Sequence, residues 1–338
     1  MLRLQLSRDQ VLAYRRRVGA LHQRLPRGDD ALRQAAWAGL TDSVPRAALL
    51  SIHARVQDTT PSTWEDSALA QLWGPRFSAY VVPAQDRAVF TLGRLPADGA
   101  RRRFAEDLAE RLDAVLDGRE IPYGEAGRAL GENHNQLRYA ATTGRVLIRW
   151  DGARQPTVRT VPPPEMDPGE ARLELARRYL HVLGPATAQG FARWAGLFAR
   201  AAVAAFDALR PELTAVRTDV GDASILTQDE QDFRADPAPP APARLLPSGD
   251  AYLLLQGTDR ELLVPDAAQR AALWPSRVWP GALLVDGDVA GTWRRADEKV
   301  TLSPWRALPP AAREAVEQEA ATLPVPGLTC PVCLRWDE

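Results

Sequence analysis

Apolar positions recur at helical spacing through most of the first 230 residues, interrupted by short runs of strand-like character. Ser7-Arg8-Asp9-Gln10 has the spacing of a capping box, ahead of a helix carrying Val11, Tyr14 and Val18 on one face. The run from Asp30 to Leu40 aligns Leu32, Ala36 and Leu40, and the run from Pro45 to Val56 aligns Leu49, Ile52 and Val56, so both predict core-facing helices. A further helix is predicted over 62–73, then strands over 77–82 and 88–93. The next segment predicts a helix over 101–117, a second over 123–130, a tight turn at Gly131 and a third over 132–141. It continues with RVLIRW (145–150), Asp151-Gly152 and PTVRTV (156–161), a hairpin signal. Helix-turn-helix followed by a two-stranded hairpin is the winged-helix order.

The same order returns after a proline-rich joint. Ala171–Leu183 reads as a helix, Thr187–Ala195, Gly196 and Phe198–Leu209 as a helix-turn-helix, and 213–217 with 223–226 as a hairpin through Gly221-Asp222. Residues 1–93 fit the plan more loosely, with 77–93 as the hairpin. The joints VPPPEMDP (161–168) and FRADPAPPAPAR (233–244) cannot continue helices or central strands and read as stiff linkers. Beyond 244 come short β-rich runs, YLLLQ, ELLVP, GALLV, VAGTW and KVTLSPW, with one helix at 309–323. The expected fold class is α+β: three tandem winged helices over 1–100, 101–165 and 166–236, and a β-barrel-like domain over 244–338.

Composition places this architecture in a soluble globular setting: 338 residues, 45% apolar and 25% charged. No apolar run reaches the roughly 20 residues of a membrane span, and MLRLQLSRDQ lacks a signal-peptide core, so a cytoplasmic location is expected. Net charge is −1, but it is unevenly spread. Residues 1–150 hold 22 Arg against 17 acidic residues, a balance of +5, whereas 151–338 hold 20 basic against 26 acidic, a balance of −6. The asymmetry favours an anionic partner for the N-terminal half.

Candidate chemistry is sparse. CPVC (330–333) has no second CxxC, and His22, His53, His134 and His181 are distant in sequence, so no metal site is expected. No GxSxG, P-loop or GxGxxG occurs, and no cofactor is expected. Two features remain. Thr41-Asp42-Ser43 forms a polar elbow between two apolar-faced helices, either capping the second helix or presenting oxygens to a ligand. Asn133, Asn135, Gln136 and Arg138 lie on and before the second helix of the 101–165 unit, with Arg145, Arg149 and Arg154 on the adjacent hairpin. These side chains suit phosphates or base edges, while Asn133 also suits a helix cap. Three such modules in one chain suggest a concave surface along a duplex.

The chain resembles the winged-helix DNA glycosylases typified by AlkZ and YcaQ, over nearly its whole length. The resemblance rests on GL-x-x-x-x-PRAALLSIHARV (39–56), RYLHVLGPATAQGFARWAG (178–196), LLPSGDAYLLLQGTDRELLVP (245–265) and WPGALLVDGDVAGTWRR (279–295). It implies a C-shaped clamp of three winged helices and a C-terminal β-barrel, acting on alkylated or bulky purine lesions in double-stranded DNA, in some members for self-resistance to a genotoxic natural product. It also implies that the catalytic pair, Gln-x-Gln or Gln-x-Asp in the family, falls on Thr41 and Ser43, with Asp42 between them. Arg46 and Tyr80 join the DNA contacts on this reading; Tyr80 stands where the family phrase Arg-Gly-Thr-Leu-His has its histidine. The resulting expectation is a monofunctional, monomeric DNA glycosylase. The rival is a non-catalytic DNA-binding protein on the same scaffold.

Overall fold

A computed structural model describes residues 3–337 except 45, 98, 153, 329 and 330. Strand β1 (Leu4–Gln5) leads into helix α1 (Arg8–Val18), which begins on a complete capping box: the Ser7 hydroxyl accepts from the Gln10 amide and the Gln10 side chain accepts from the Ser7 amide. Helix α2 (Asp29–Ala35), strand β2 (Leu40–Thr41) and helix α3 (Ala47–His53) follow, then β3 (Leu69–Trp73), β4 (Ala79–Pro83) and α4 (Arg87–Thr91). Strands β2, β4 and β3 form one antiparallel sheet.

This corrects two predicted elements. The run over 62–73 is a short 3-10 turn at Thr63–Glu65 and then strand β3, and the run over 88–93 is helical, so the hairpin spans 69–83. Residues 69–73 and 88–93 are buried almost continuously, and a buried stretch of this kind shows little period to separate strand from helix. Tertiary packing decides: α4 lies against the 168–183 helix, while β3 pairs along its whole length with β4.

The second unit matches its pattern closely. Helix α5 (Gly99–Leu116), strand β5 (Ile121–Pro122) and helix α6 (Tyr123–Leu130) end on Gly131 in the left-handed region, where a Cβ would be strained. Helix α7 (Leu137–Ala140) precedes the hairpin β6 (Val146–Arg149) and β7 (Thr157–Thr160). The third unit has α8 (Pro168–Leu183), α9 (Ala188–Ala195), α10 (Ala199–Ala208) and the hairpin β8 (Leu213–Thr218) and β9 (Gly221–Leu226). Gly221 already pairs with Thr218, so the reversal falls at Asp219-Val220, two residues before the predicted Gly221-Asp222. Strand β1 pairs with β8 in parallel, which stitches the N-terminus to this third sheet. The largest apolar cluster joins the first and third units, with Leu72, Tyr80 and Phe90 packed alongside Tyr179, Phe191 and Trp194.

Helix α11 (Glu230–Arg234) closes that unit. Beyond it, β10 (Ala243–Leu246), α12 (Asp259–Leu263), α13 (Ala267–Leu273), β11 (Gly281–Val285), β12 (Asp288–Ala296), β13 (Lys299–Pro304), α14 (Pro310–Ala321) and β14 (Cys333–Trp336) follow. The five strands run in the order β10-β11-β12-β13-β14, an open sheet rather than the expected barrel. Closure fails because YLLLQ and ELLVP are not strands. The Asp250 carboxylate accepts from the Tyr252 amide and winds 251–253 into a 3-10 turn, and ELLVP falls in α12 and the turn after it. Helix α14 covers one face of the sheet instead, burying Val316 and Ala320 against Leu283, Trp293 and Leu302. Of the CPVC pair, Cys333 is exposed at the start of β14, and Cys330 lies outside the described residues. No helix among the described residues is long and apolar enough to cross a membrane.

Candidate functional site

The elbow exists because Gly39 lets the chain turn. Its φ is +73°, and a Cβ there would meet the Phe90 ring at 2.9 Å and the Tyr80 ring at 3.0 Å. Leu40 and Thr41 then pair with Val81 and Tyr80, and the Asp42 amide donates to the Ala79 carbonyl at 2.8 Å. Three consecutive oxygen-bearing side chains now face three different environments. Thr41 is buried and donates to the Gly249 carbonyl at 2.8 Å, tying the elbow to the C-terminal region. Asp42 is only 1% exposed. Ser43 is exposed and borders a cleft of about 330 Å³ together with Arg76, Phe77, Arg138 and Trp150.

Asp42 is the most heavily engaged of the three. One carboxylate oxygen accepts from the Ala48 amide at 3.1 Å in the first turn of α3, and the other accepts from Gln71 Nε2 at 2.7 Å. Arg46 adds an ion pair at 3.5 Å. Burial pushes the Asp42 carboxyl up to about 7, against the pull of the Ala48 amide, Arg46 and Gln71. Between about pH 4 and 7 the native chain therefore binds more protons here than the unfolded chain, and stability falls as pH rises through that window. An Asp42→Asn variant cannot ionise, so its stability relative to wild type is expected to improve from pH 5 to pH 8 in denaturant titrations. A pH-independent difference would refute the raised pKa.

Arg46 and Gln71 also bind the second unit to the elbow. Arg46 Nη2 donates to the Trp150 carbonyl at 3.0 Å, its guanidinium lies 3.7 Å over the Trp64 ring, and Gln71 Oε1 accepts from the Trp150 amide at 2.5 Å. Arg46, expected on DNA, is thus a buried brace, itself in the left-handed region at φ 62°. Tyr80, also expected on DNA, is wholly buried beneath Gly39 and Gly74, and burial pushes its phenol up to about 12. The hairpin tip after Gly74 turns through two consecutive left-handed residues, Arg76 at φ 55° and Phe77 at φ 58°, and packs on Gly196.

The second-unit residues separate in the same way. Asn133 caps the 134–136 turn by accepting from the Asn135 amide at 2.9 Å, and the Asn135 side chain accepts from the Tyr123 hydroxyl at 2.8 Å. Arg138 lines the Ser43 cleft, whereas Gln136 lines a larger neighbouring cleft that shares Phe77 with it. Arg145 pairs with Asp113 at 3.0 Å, and Arg154 is exposed, its carbonyl accepting from the Trp150 indole at 2.7 Å. Among the predicted residues, only Ser43 and Arg138 are brought together at the cleft. Gln71, Arg76 and Trp150 were missed. Gln71 could have been found as the lone polar residue in the buried strand LAQLW; Arg76 and Trp150 carry no comparable signal.

The sequence profile of the DNA glycosylase AlkZ-like family matches residues 29–324, from before the elbow to the end of the C-terminal sheet's helix. The chain belongs to the AlkZ-like DNA glycosylases. A relative described as an interstrand DNA cross-link repair glycosylase, from Streptomyces sahachiroi, is 28% identical over 256 residues, covering 67% of each chain. The solved structure of the Streptomyces sahachiroi DNA glycosylase AlkZ superposes with a TM-score of 0.78 over 99% of this chain and 100% of that one, at 22% identity. In this AlkZ-like glycosylase the elbow therefore offers one solvent-facing hydroxyl, with a buried carboxylate immediately behind it.

Proposed function

We propose that the protein is a monofunctional glycosylase that hydrolyses the N-glycosidic bond of alkylated or bulky N7-purine adducts in double-stranded DNA, acting as a monomer. Self-resistance to a genotoxic natural product is the setting we propose for it. The three helix-and-hairpin units are read as winged helices, divided near residues 100 and 166, that clamp the duplex with their arginines. The observation that carries this reading is the exposure of Ser43, in the elbow we read as catalytic, on a cleft edged by Arg76 and Arg138.

Cleavage passes through an oxocarbenium-like state. An N7-alkylated purine is already cationic and leaves without a strong general acid, so the protein must chiefly position water. The Ser43 hydroxyl accepts and donates, which suits it to orienting that water. Asp42, held by Gln71 and the Ala48 amide, fixes the elbow from behind, and Thr41 anchors it to Gly249. In this assignment Ser43 touches the reacting centre, and Thr41 and Asp42 are positioning residues.

The burial of Asp42 favours a second reading, a lesion binder without catalysis. Incubation with duplex DNA carrying an N7-alkylguanine decides between them. Released base and alkali-labile abasic sites are expected; intact binding with no release above background across several adducts would establish the binder instead.

A further inference from the structure

The larger cleft beside the Ser43 site holds about 880 Å³ and lies where α5, α7 and the start of α10 converge. The exposed large apolar side chains of the described residues include three aromatic rings, Phe104, Tyr139 and Phe198, at 39%, 46% and 54% exposure. All three line this cleft. Soluble proteins seldom leave rings grouped in water without a use for them. Phe104 and Phe77 each meet Tyr139 in a T-shaped arrangement, with centroids at 6.0 and 5.0 Å.

The floor is cationic. Arg94 is 5% exposed, lies 4.7 Å over the Phe77 ring, and donates to the carbonyls of Ala195 and Trp73. Arg172 donates to the carbonyls of Gly93 and Leu95. Both charges are met by backbone dipoles, and burial pushes the Arg94 guanidinium down to about 10. Arg101 and Arg200 stand over Phe198 at 4.6 and 5.8 Å. No carboxylate among the described residues lines the cleft. Aromatic faces combined with fixed guanidiniums are complementary to a planar base carrying a phosphate.

We propose that this cleft receives an unpaired nucleotide of the bound DNA, its base against Tyr139 and Phe198 and its phosphate on the arginines. The proposal rests on the reading of the protein as DNA-binding. It assigns the cleft a role separate from the Ser43 cleft, with Phe77 on the wall between them.

Fluorescence anisotropy with a labelled duplex and the same duplex carrying a one-nucleotide bulge tests it. Wild type is expected to bind the bulged duplex about tenfold more tightly, in the range that stacking of one base supplies. The double variant Tyr139→Ala with Phe198→Ala is expected to lose that preference while keeping its affinity for the paired duplex. Both rings are exposed, so the fold should survive; Phe198→Trp, which keeps a ring, should retain the preference. Equal binding of the two duplexes by wild type, or a preference that survives the double variant, would overturn the proposal and leave the glycosylase reading standing. Absence of binding to either duplex would overturn both. A dimer in sedimentation that dissociates on Phe198→Ala would assign the rings to self-association instead.

Discussion

Ser43→Ala is expected to slow base release from N7-alkylguanine DNA by about 10²-fold while leaving DNA affinity unchanged. The expectation follows from exposure. Of the three elbow side chains, Ser43 alone is free to meet water and substrate, since Thr41 is committed to the Gly249 carbonyl and Asp42 is enclosed by Gln71, Arg46 and the Ala48 amide. Alanine removes the hydroxyl without disturbing a buried partner, so single-turnover rates and equilibrium binding should separate cleanly. If the variant retained the full rate, the role assigned to Ser43 would be wrong even with glycosylase activity intact. Asp42→Asn provides the contrast: a positioning role predicts a smaller loss of rate, coupled to the altered pH dependence of stability described above.

Removing the Asp250 carboxylate should have the largest effect on stability. Asp250 is 1% exposed and receives both guanidinium nitrogens of Arg55 at 2.7 Å, the Ser51 hydroxyl at 2.6 Å and the Tyr252 amide at 2.9 Å. Asp250→Ala strands a buried arginine charge, and two further donors, the Ser51 hydroxyl and the Tyr252 amide, lose their acceptor. The expected cost is about 3–5 kcal/mol in the free energy of unfolding. Arg55→Met combined with Asp250→Leu should recover part of it, because neither charge is then left alone in the interior. A loss below about 1 kcal/mol for Asp250→Ala would show that water reaches the pair after all. The pair matters beyond stability: Arg55 lies just past α3 and Asp250 follows Gly249, the acceptor of the Thr41 hydroxyl, so the pair holds the elbow against the C-terminal region.

Local signals were legible wherever they involve residues close in sequence. The Ser7–Gln10 capping box, the left-handed Gly131 that ends α6 and the β6–β7 hairpin around Asp151-Gly152 all form from contacts within a few residues. The misread elements share a different property. LAQLW and RAVFT carry little periodicity of their own, and each takes its form from the element it packs on: β4 for the first, α8 for the second. The barrel expectation failed for a related reason, since YLLLQ has strand composition but is wound into a turn by the carboxylate at its N-terminal side.

The sequence by itself determined which stretch is the candidate site. A glycine at 39, three oxygen-bearing residues and an apolar helix on either side are local facts, and the motif resemblance makes them the candidate elbow. Only the tertiary structure decided what each oxygen faces. Thr41, Asp42 and Ser43 are adjacent in the chain, yet their surroundings come from residues 249, 71 and 138, each contributed by a different segment. Exposure and pKa depend on that assembled environment, because desolvation is set by the groups that pack around a carboxylate or hydroxyl and not by its neighbours in sequence.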